Sequence, residues 1–216
     1  MMFKKKSLLR LIGFPLTLGI LVIGCSTDGE SGSMDKNLPD GTDVSQNRKS
    51  VGDSASDLLD DTNFTELFLE IFYVSGFKPS ETTLDNFEDF LSQRLNKPNG
   101  ISMELKEIPS PGQDVYSITD IRNLEDEIRT AYNLGGTIKA FGLFLDGEYS
   151  ENTENGSVLG VAYRNTSFVL FEETIKGFSG QPLAPSTTVL ETTVLDHEFG
   201  HLLGLVNAGT PVQSAH

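Results

Sequence analysis

Residues 197–201 read His-Glu-Phe-Gly-His, and these residue types at this spacing suit one kind of chemistry. On a helix, positions i and i+4 lie one above the other, so His197 and His201 aim two imidazole nitrogens at one cation. Glu198 is turned about 100° from His197 on a 3.6-residue helix. It therefore flanks the cation, placed to take a proton from a water activated there rather than to ligate. Zinc at such a site lowers the pKa of a water to roughly 7 and polarises a carbonyl, which permits amide hydrolysis at neutral pH. The motif takes up two of the three histidines in the chain, so the cluster stands apart from the rest of the composition. The alternative is an ordinary helix with two hydrogen-bonded histidines and a surface glutamate.

The motif needs a helix to carry it and a sheet to hold that helix. After Pro185-Ser186-Thr187, the pair Thr188 and Glu191 matches a capping box. The helix is expected over Val189–Leu203, with Gly204 just past its end as a left-handed cap. Leu195, Phe199 and Leu202 lie opposite the motif and bury this helix. Upstream, Glu66–Val74 and Ile138–Leu145 read as buried strands, the second a central one, and Ile101–Ile108 as a half-exposed strand. Ser80–Asn96 and Ser117–Tyr132 carry apolar residues at helical spacing, and Lys97-Pro98-Asn99-Gly100 and Gly135-Gly136 stop them. Val158–Tyr163 and Ser167–Glu172 read as a hairpin across Arg164-Asn165-Thr166. Alternating strands and helices that end in a hairpin make an α/β (or α+β) chain with a mixed sheet. The acidic loop Asp146–Gly156 lacks EF-hand spacing and reads as a solvated turn rather than a calcium site.

Composition narrows the partners. The chain carries 16 Lys and Arg against 31 Asp and Glu, a net charge of −15 over 216 residues. Four of those bases stand in the first 24 residues, which hold no acid. Beyond them, 12 bases face 31 acids, a charge of −19. Such a chain is repelled by phosphate backbones, so no nucleic-acid partner is expected. A single cysteine excludes an internal disulfide framework and a thiolate-rich metal site. With 38% hydrophobic residues the chain can build a core, on the lean side.

The first 25 residues place basic side chains before an uncharged apolar run from Leu11 to Gly24, short for a spanning helix and suited to a signal peptide. The run closes on Val22-Ile23-Gly24-Cys25, which resembles the lipobox of bacterial lipoproteins. That resemblance implies removal of residues 1–24 and lipidation of Cys25, a stable membrane anchor in the bacterial envelope. Ser26 in place of aspartate resembles an outer-membrane sorting signal, with the face left open. Residues 25–63, rich in Ser, Gly, Asp, Asn and Thr, read as a flexible acidic tether, with the folded domain over 64–216.

The stretch Thr192–Asn207 resembles the zincin metallopeptidases and, among them, the metzincins, through His197, Glu198, His201 and Gly204 of their H-E-x-x-H-x-x-G pattern. The resemblance is close over 189–205 and loose over 64–207, with the helix at 117–132 as an insertion. It implies Zn2+ held by His197 and His201, Glu198 as general base, and a protein or peptide substrate. It also implies a twisted mixed sheet whose antiparallel edge strand, Val158–Tyr163, pairs with extended substrate. Gly204 would turn the chain sharply toward a third ligand. Asn207 stands where the family places a histidine, and no methionine follows Met103, so the family's Met-turn is missing. The expectation is a chain truncated at its C-terminus, with the third ligand beyond His216; Asn207 and His216 are the other sources. A catalytically inactive or truncated surface lipoprotein that binds partners is the rival function.

Overall fold

The structure is a computed structural model, and it describes residues 38–205. A five-stranded sheet forms its centre, in the order β2-β1-β4-β7-β6. The strands are β1 (Glu66–Val74), β2 (Ile101–Ile108), β4 (Thr137–Leu145), β6 (Gly160–Arg164) and β7 (Ser167–Phe171). β1, β2, β4 and β7 run parallel, and β6 pairs antiparallel to β7 at the edge. The class is mixed α/β, as expected, with the long apolar run of β4 in the middle. That run serves two faces at once. Ile138, Ala140 and Phe144 join one core, while Phe141, Leu143 and Leu145 join the other.

The first core is closed by α1 (Ala55–Leu59), α2 (Glu81–Arg94), α4 (Glu172–Ser179) and α5 (Thr187–Leu202). Phe87 of α2 and Phe199 of α5 meet edge-to-face at 5.4 Å between ring centres, and both pack on Phe168. The second core lies under α3 (Ile118–Ile128) and a two-stranded parallel ribbon of β3 (Val115–Tyr116) and β5 (Glu148–Tyr149). Among the described residues no helix is long and apolar enough to cross a membrane.

Several boundaries differ from the sequence expectation, each for a tertiary reason. α3 ends at Ile128 rather than at the Gly-Gly pair. The buried Glu70 carboxylate accepts the Thr130 and Ala131 N–H groups at 3.0 and 3.1 Å, and Arg129 Nε donates to Ala131 O at 2.8 Å. These bonds hold residues 129–131 out of the helix. The Asp146 loop is not a free solvated turn: Asp146 accepts from Ser110 Oγ and Tyr116 Oη, and β5 pairs with β3. α5 is capped by Ser186, whose Oγ accepts from Val189 N at 3.3 Å. The expected box on Thr188 does not form, because Glu191 turns inward to accept from Ser80 N and Thr83 Oγ1 of α2's first turn.

The second half of the expected tether is folded. Val44–Asn47 form a 3-10 turn, α1 follows, and Asn47, Ser54 and Leu58 are buried. Asn47 Nδ2 donates to Asn133 Oδ1, Lys139 O and Thr166 Oγ1 at 2.9, 2.9 and 3.0 Å. Asn165 exchanges bonds with both backbone groups of Lys49. Composition missed this because the segment is held mainly by polar groups with particular partners, not by apolar area. The expected start of the folded domain at residue 64 is therefore too late.

One buried carboxyl sets a pH dependence. Glu172 is fully buried at the start of α4, and neither carboxyl oxygen has a hydrogen-bond partner among the described residues. Burial first, and then the neighbouring Glu191 carboxyl, push it up to about 9; Lys176 Nζ at 3.6 Å opposes this only in part. An unfolded chain releases that proton near pH 4.5. The folded state therefore holds an extra proton between about pH 4.5 and 9, and stability falls as pH rises through that window. Glu172→Gln, which keeps the neutral shape, should raise Tm at pH 8 and flatten its decline between pH 5 and 9. A Tm–pH curve parallel to that of the unaltered protein would show that Glu172 is ionised in the fold.

Candidate metal centre

α5 brings the motif to the sheet edge. Leu195, Phe199 and Leu202 are completely buried against the first core, which sets the adjoining Val194 and Glu198 against β6 and leaves His197 exposed. The helix stops in a Schellman arrangement. Gly204 adopts φ +70°, its N–H bonds His201 O at 3.1 Å, and Leu205 N–H bonds Gly200 O at 3.0 Å. A side chain at 204 would strain this turn, so the glycine is required by its φ.

His197 Nε2 and His201 Nε2 stand 3.1 Å apart, with their rings at 89°. At a zinc–imidazole bond length of about 2.0–2.1 Å, this separation subtends an angle of about 100° at a shared ion, close to tetrahedral. Burial and the neighbouring His201 push His197 down from its usual value, favouring the neutral imidazole that ligates a metal. The donor pair fits a divalent transition metal. Each of the three motif residues offers a ligand atom, and these atoms lie within 4.8 Å of one another.

Glu198 is in a different setting from the histidines. It is buried, and its Oε2 accepts the Ala162 N–H of β6 at 2.8 Å. Burial pushes its carboxyl up to about 7, with the Ala162 bond opposing the rise. Such a group is poised to exchange a proton near neutral pH. Gly160 makes room for it: a Cβ there would lie 2.7 Å from both Glu198 Cγ and Val194 Cγ1. Leu159, Gly160, Thr193 and Val194 join His197 and Glu198 around a cleft of about 240 Å3 between helix and edge strand.

The three motif residues expected to act together are thus together. Gly160 and Ala162 escaped notice in the sequence, where a glycine and an alanine in a short strand carry no chemical signal. Residues 48–55 also escaped notice, although Gly52 and Ala55 lie against the end of α5: a Cβ at Gly52 would be 4.0 Å from His201 O, and one at Gly204 would be 3.5 Å from Ala55 Cβ. Cys25, Asn207 and His216 lie outside the described residues.

No family model matches the chain, and no curated protein matches it. Among solved structures it is similar to metalloproteinase-II from Bacteroides fragilis, at 14% identity and a TM-score of 0.38. That similarity takes in 67% of this chain and 44% of the other, so the chain spans less than half the length of the structure it matches.

Proposed function

We propose that the protein is a zinc-dependent endopeptidase held at the bacterial envelope by a lipid on Cys25. The observation that carries the catalytic part is the pair of imidazole Nε2 atoms 3.1 Å apart with a buried carboxyl, raised to about 7, one residue away. The anchor rests on the lipobox-like Val22-Ile23-Gly24-Cys25. Zinc, when bound, would be held by His197 and His201 and supply Lewis acidity toward water and the scissile carbonyl. Glu198 takes the proton as water adds to the carbonyl carbon. It returns that proton to the amine nitrogen as the C–N bond breaks. The Ala162 N–H orients the carboxylate through this exchange, and the apolar wall of Leu159 and Val194 limits competing water. An extended peptide adds to β6, an edge strand among the described residues, on either side of the Ala162 N–H that Glu198 holds; main-chain bonds give register and side chains give specificity.

Metal stoichiometry tests the proposal directly. The purified full-length chain, incubated with zinc and gel-filtered, should retain one zinc per molecule by plasma mass spectrometry. His201→Ala should lose it, since one remaining imidazole holds the ion far too weakly to survive filtration. Zinc absent from both proteins, or equal in both, would overturn the assignment of the site.

A further inference from the structure

The chain is strongly acidic, yet one pocket of its surface is cationic. Arg48, Lys49, Ser50, Arg122, Tyr163 and Arg164 enclose about 350 Å3 at the turn end of the β6–β7 hairpin. Arg164 is paired with Glu125 and Asp126 at 3.0 and 2.6 Å, and Arg48 with Asp126 at 2.9 Å. Lys49 and Arg122 make no ion pair among the described residues; Arg122 Nη2 donates to Tyr163 O at 3.2 Å. Four cations line the pocket. Glu125, which also pairs with the buried Arg129, and Asp126 hold Arg48 and Arg164, and Asp43 acts on Lys49 through space without an ion pair, so the cations outnumber the carboxylates. The surplus sits on two exposed side chains that keep donors for an incoming anion.

Its position says which anion. The pocket lies at the Arg164 end of β6, and Glu198 lies along the same strand, beside Gly160 and bonded to the Ala162 N–H; β6 is an edge strand among the described residues. Ala162 is matched with Phe168 of β7, yet its N–H reaches Glu198, so this edge faces outward toward the site. Gly160 and Arg164 are four residues apart, about 13 Å along a strand. The loop that supplies Lys49 and Ser50 continues through Gly52 and Ala55 to the end of α5, the helix that carries the motif. Tyr163 belongs to the core under α3, whereas Ala162 packs on the core under α5. A peptide strand on this edge alternates its side chains between those two faces.

We propose that the pocket binds a carboxylate of an extended peptide, about two to four residues from the bond beside Glu198, on a side chain pointing to the α3 face. Cleavage of that peptide rests on the proposed endopeptidase; binding does not. The test uses the full-length Glu198→Gln protein with zinc and fluorescent octapeptides of alanine and serine, blocked at both ends. One glutamate is moved along the peptide and compared with glutamine by fluorescence anisotropy. Glutamate should bind about tenfold more tightly than glutamine in one register and lose that gain when shifted by one residue, which turns it to the other face. The gain should shrink as salt is raised. Lys49→Gln with Arg122→Gln should abolish it, and Lys78→Gln, on an exposed residue elsewhere, should not. A neutral peptide with a free C-terminus at the same register separates a chain-end carboxylate from a side-chain one: a gain there alone assigns the pocket to the chain end. Equal binding of glutamate and glutamine peptides in every register, with no gain from a free terminus, would overturn the proposal, as would a gain insensitive to register or to the two substitutions. Charge-dependent binding by Glu198→Gln, with no cleavage of the same peptide by the unaltered zinc-loaded protein, would overturn the endopeptidase and leave the pocket standing.

Discussion

Replacing Glu198 with glutamine is expected to leave the metal in place and to lower kcat by roughly 10²–10⁴-fold, the usual contribution of a positioned general base. The amide keeps the shape of the carboxyl and still offers an oxygen to the Ala162 N–H, so the geometry at the edge of β6 is preserved. What it cannot do is accept a proton. A structural effect would look different. Burial holds Glu198 up at about 7, above its unfolded value near 4.5, so the folded state loses stability as pH rises through that interval. Metal-free Glu198→Gln should therefore melt at a higher temperature than the unaltered chain at pH 8. A variant that is more stable, keeps its zinc and does not hydrolyse peptide isolates the proton transfer. Hydrolysis at the unaltered rate would remove Glu198 from the chemistry.

The largest loss of stability is expected at Arg129, far from any reacting atom. This guanidinium is completely buried, with Nη1 on Glu125 Oε1 at 2.7 Å and on Ser167 Oγ at 3.1 Å. Its Nη2 reaches Lys139 O and its Nε reaches Ala131 O, each at 2.8 Å. One side chain thus joins α3, β4 and the start of β7. Arg129→Ala leaves the Glu125 carboxylate buried beside Arg164 alone and should cost about 3–5 kcal/mol, as when one partner of a buried pair is removed. Lysine should not restore the loss, because a single ammonium cannot span the fork of acceptors that the planar group serves. Urea denaturation checks both, and the slope with denaturant should stay constant if the fold is otherwise intact. A cost below about 1 kcal/mol for Arg129→Ala would mean that water enters and takes over these bonds. The hairpin that β7 completes carries Gly160 and Ala162 on β6, so loosening it should also weaken the support of Glu198.

How much was legible in the sequence follows the range of the forces involved. β1 and β2 have the expected limits, and β4 starts one residue earlier, because apolar runs and alternation are local properties of a strand. The Ser80 and Ser117 caps are local too, each accepting an N–H three residues on, although both serines were expected inside their helices. So is the metal pair: two histidines four apart on one helix come together whatever else the chain does. Gly204 was legible for the same reason, since a helix must end and only a left-handed residue closes it this way.

The remainder depended on residues distant in the chain. Glu191 has the spacing of a capping box, but Thr83 and Ser80, more than a hundred residues earlier, offer a buried donor pair that its carboxylate takes instead. Residues 43–59 look like a tether until Asn133, Lys139, Asn165 and Thr166 supply partners for their polar groups. α4 went unseen because its opening Glu172-Glu173 reads as the polar end of a strand, when in fact Glu172 is buried. The chemistry of the site divides in the same way. Sequence by itself determined which atoms could ligate a metal and which carboxyl stands beside them. Only the tertiary structure decided that this carboxyl is buried, bonded to the Ala162 N–H and raised to about 7. Desolvation depends on what packs around a group, and packing brings together residues that no local spacing connects.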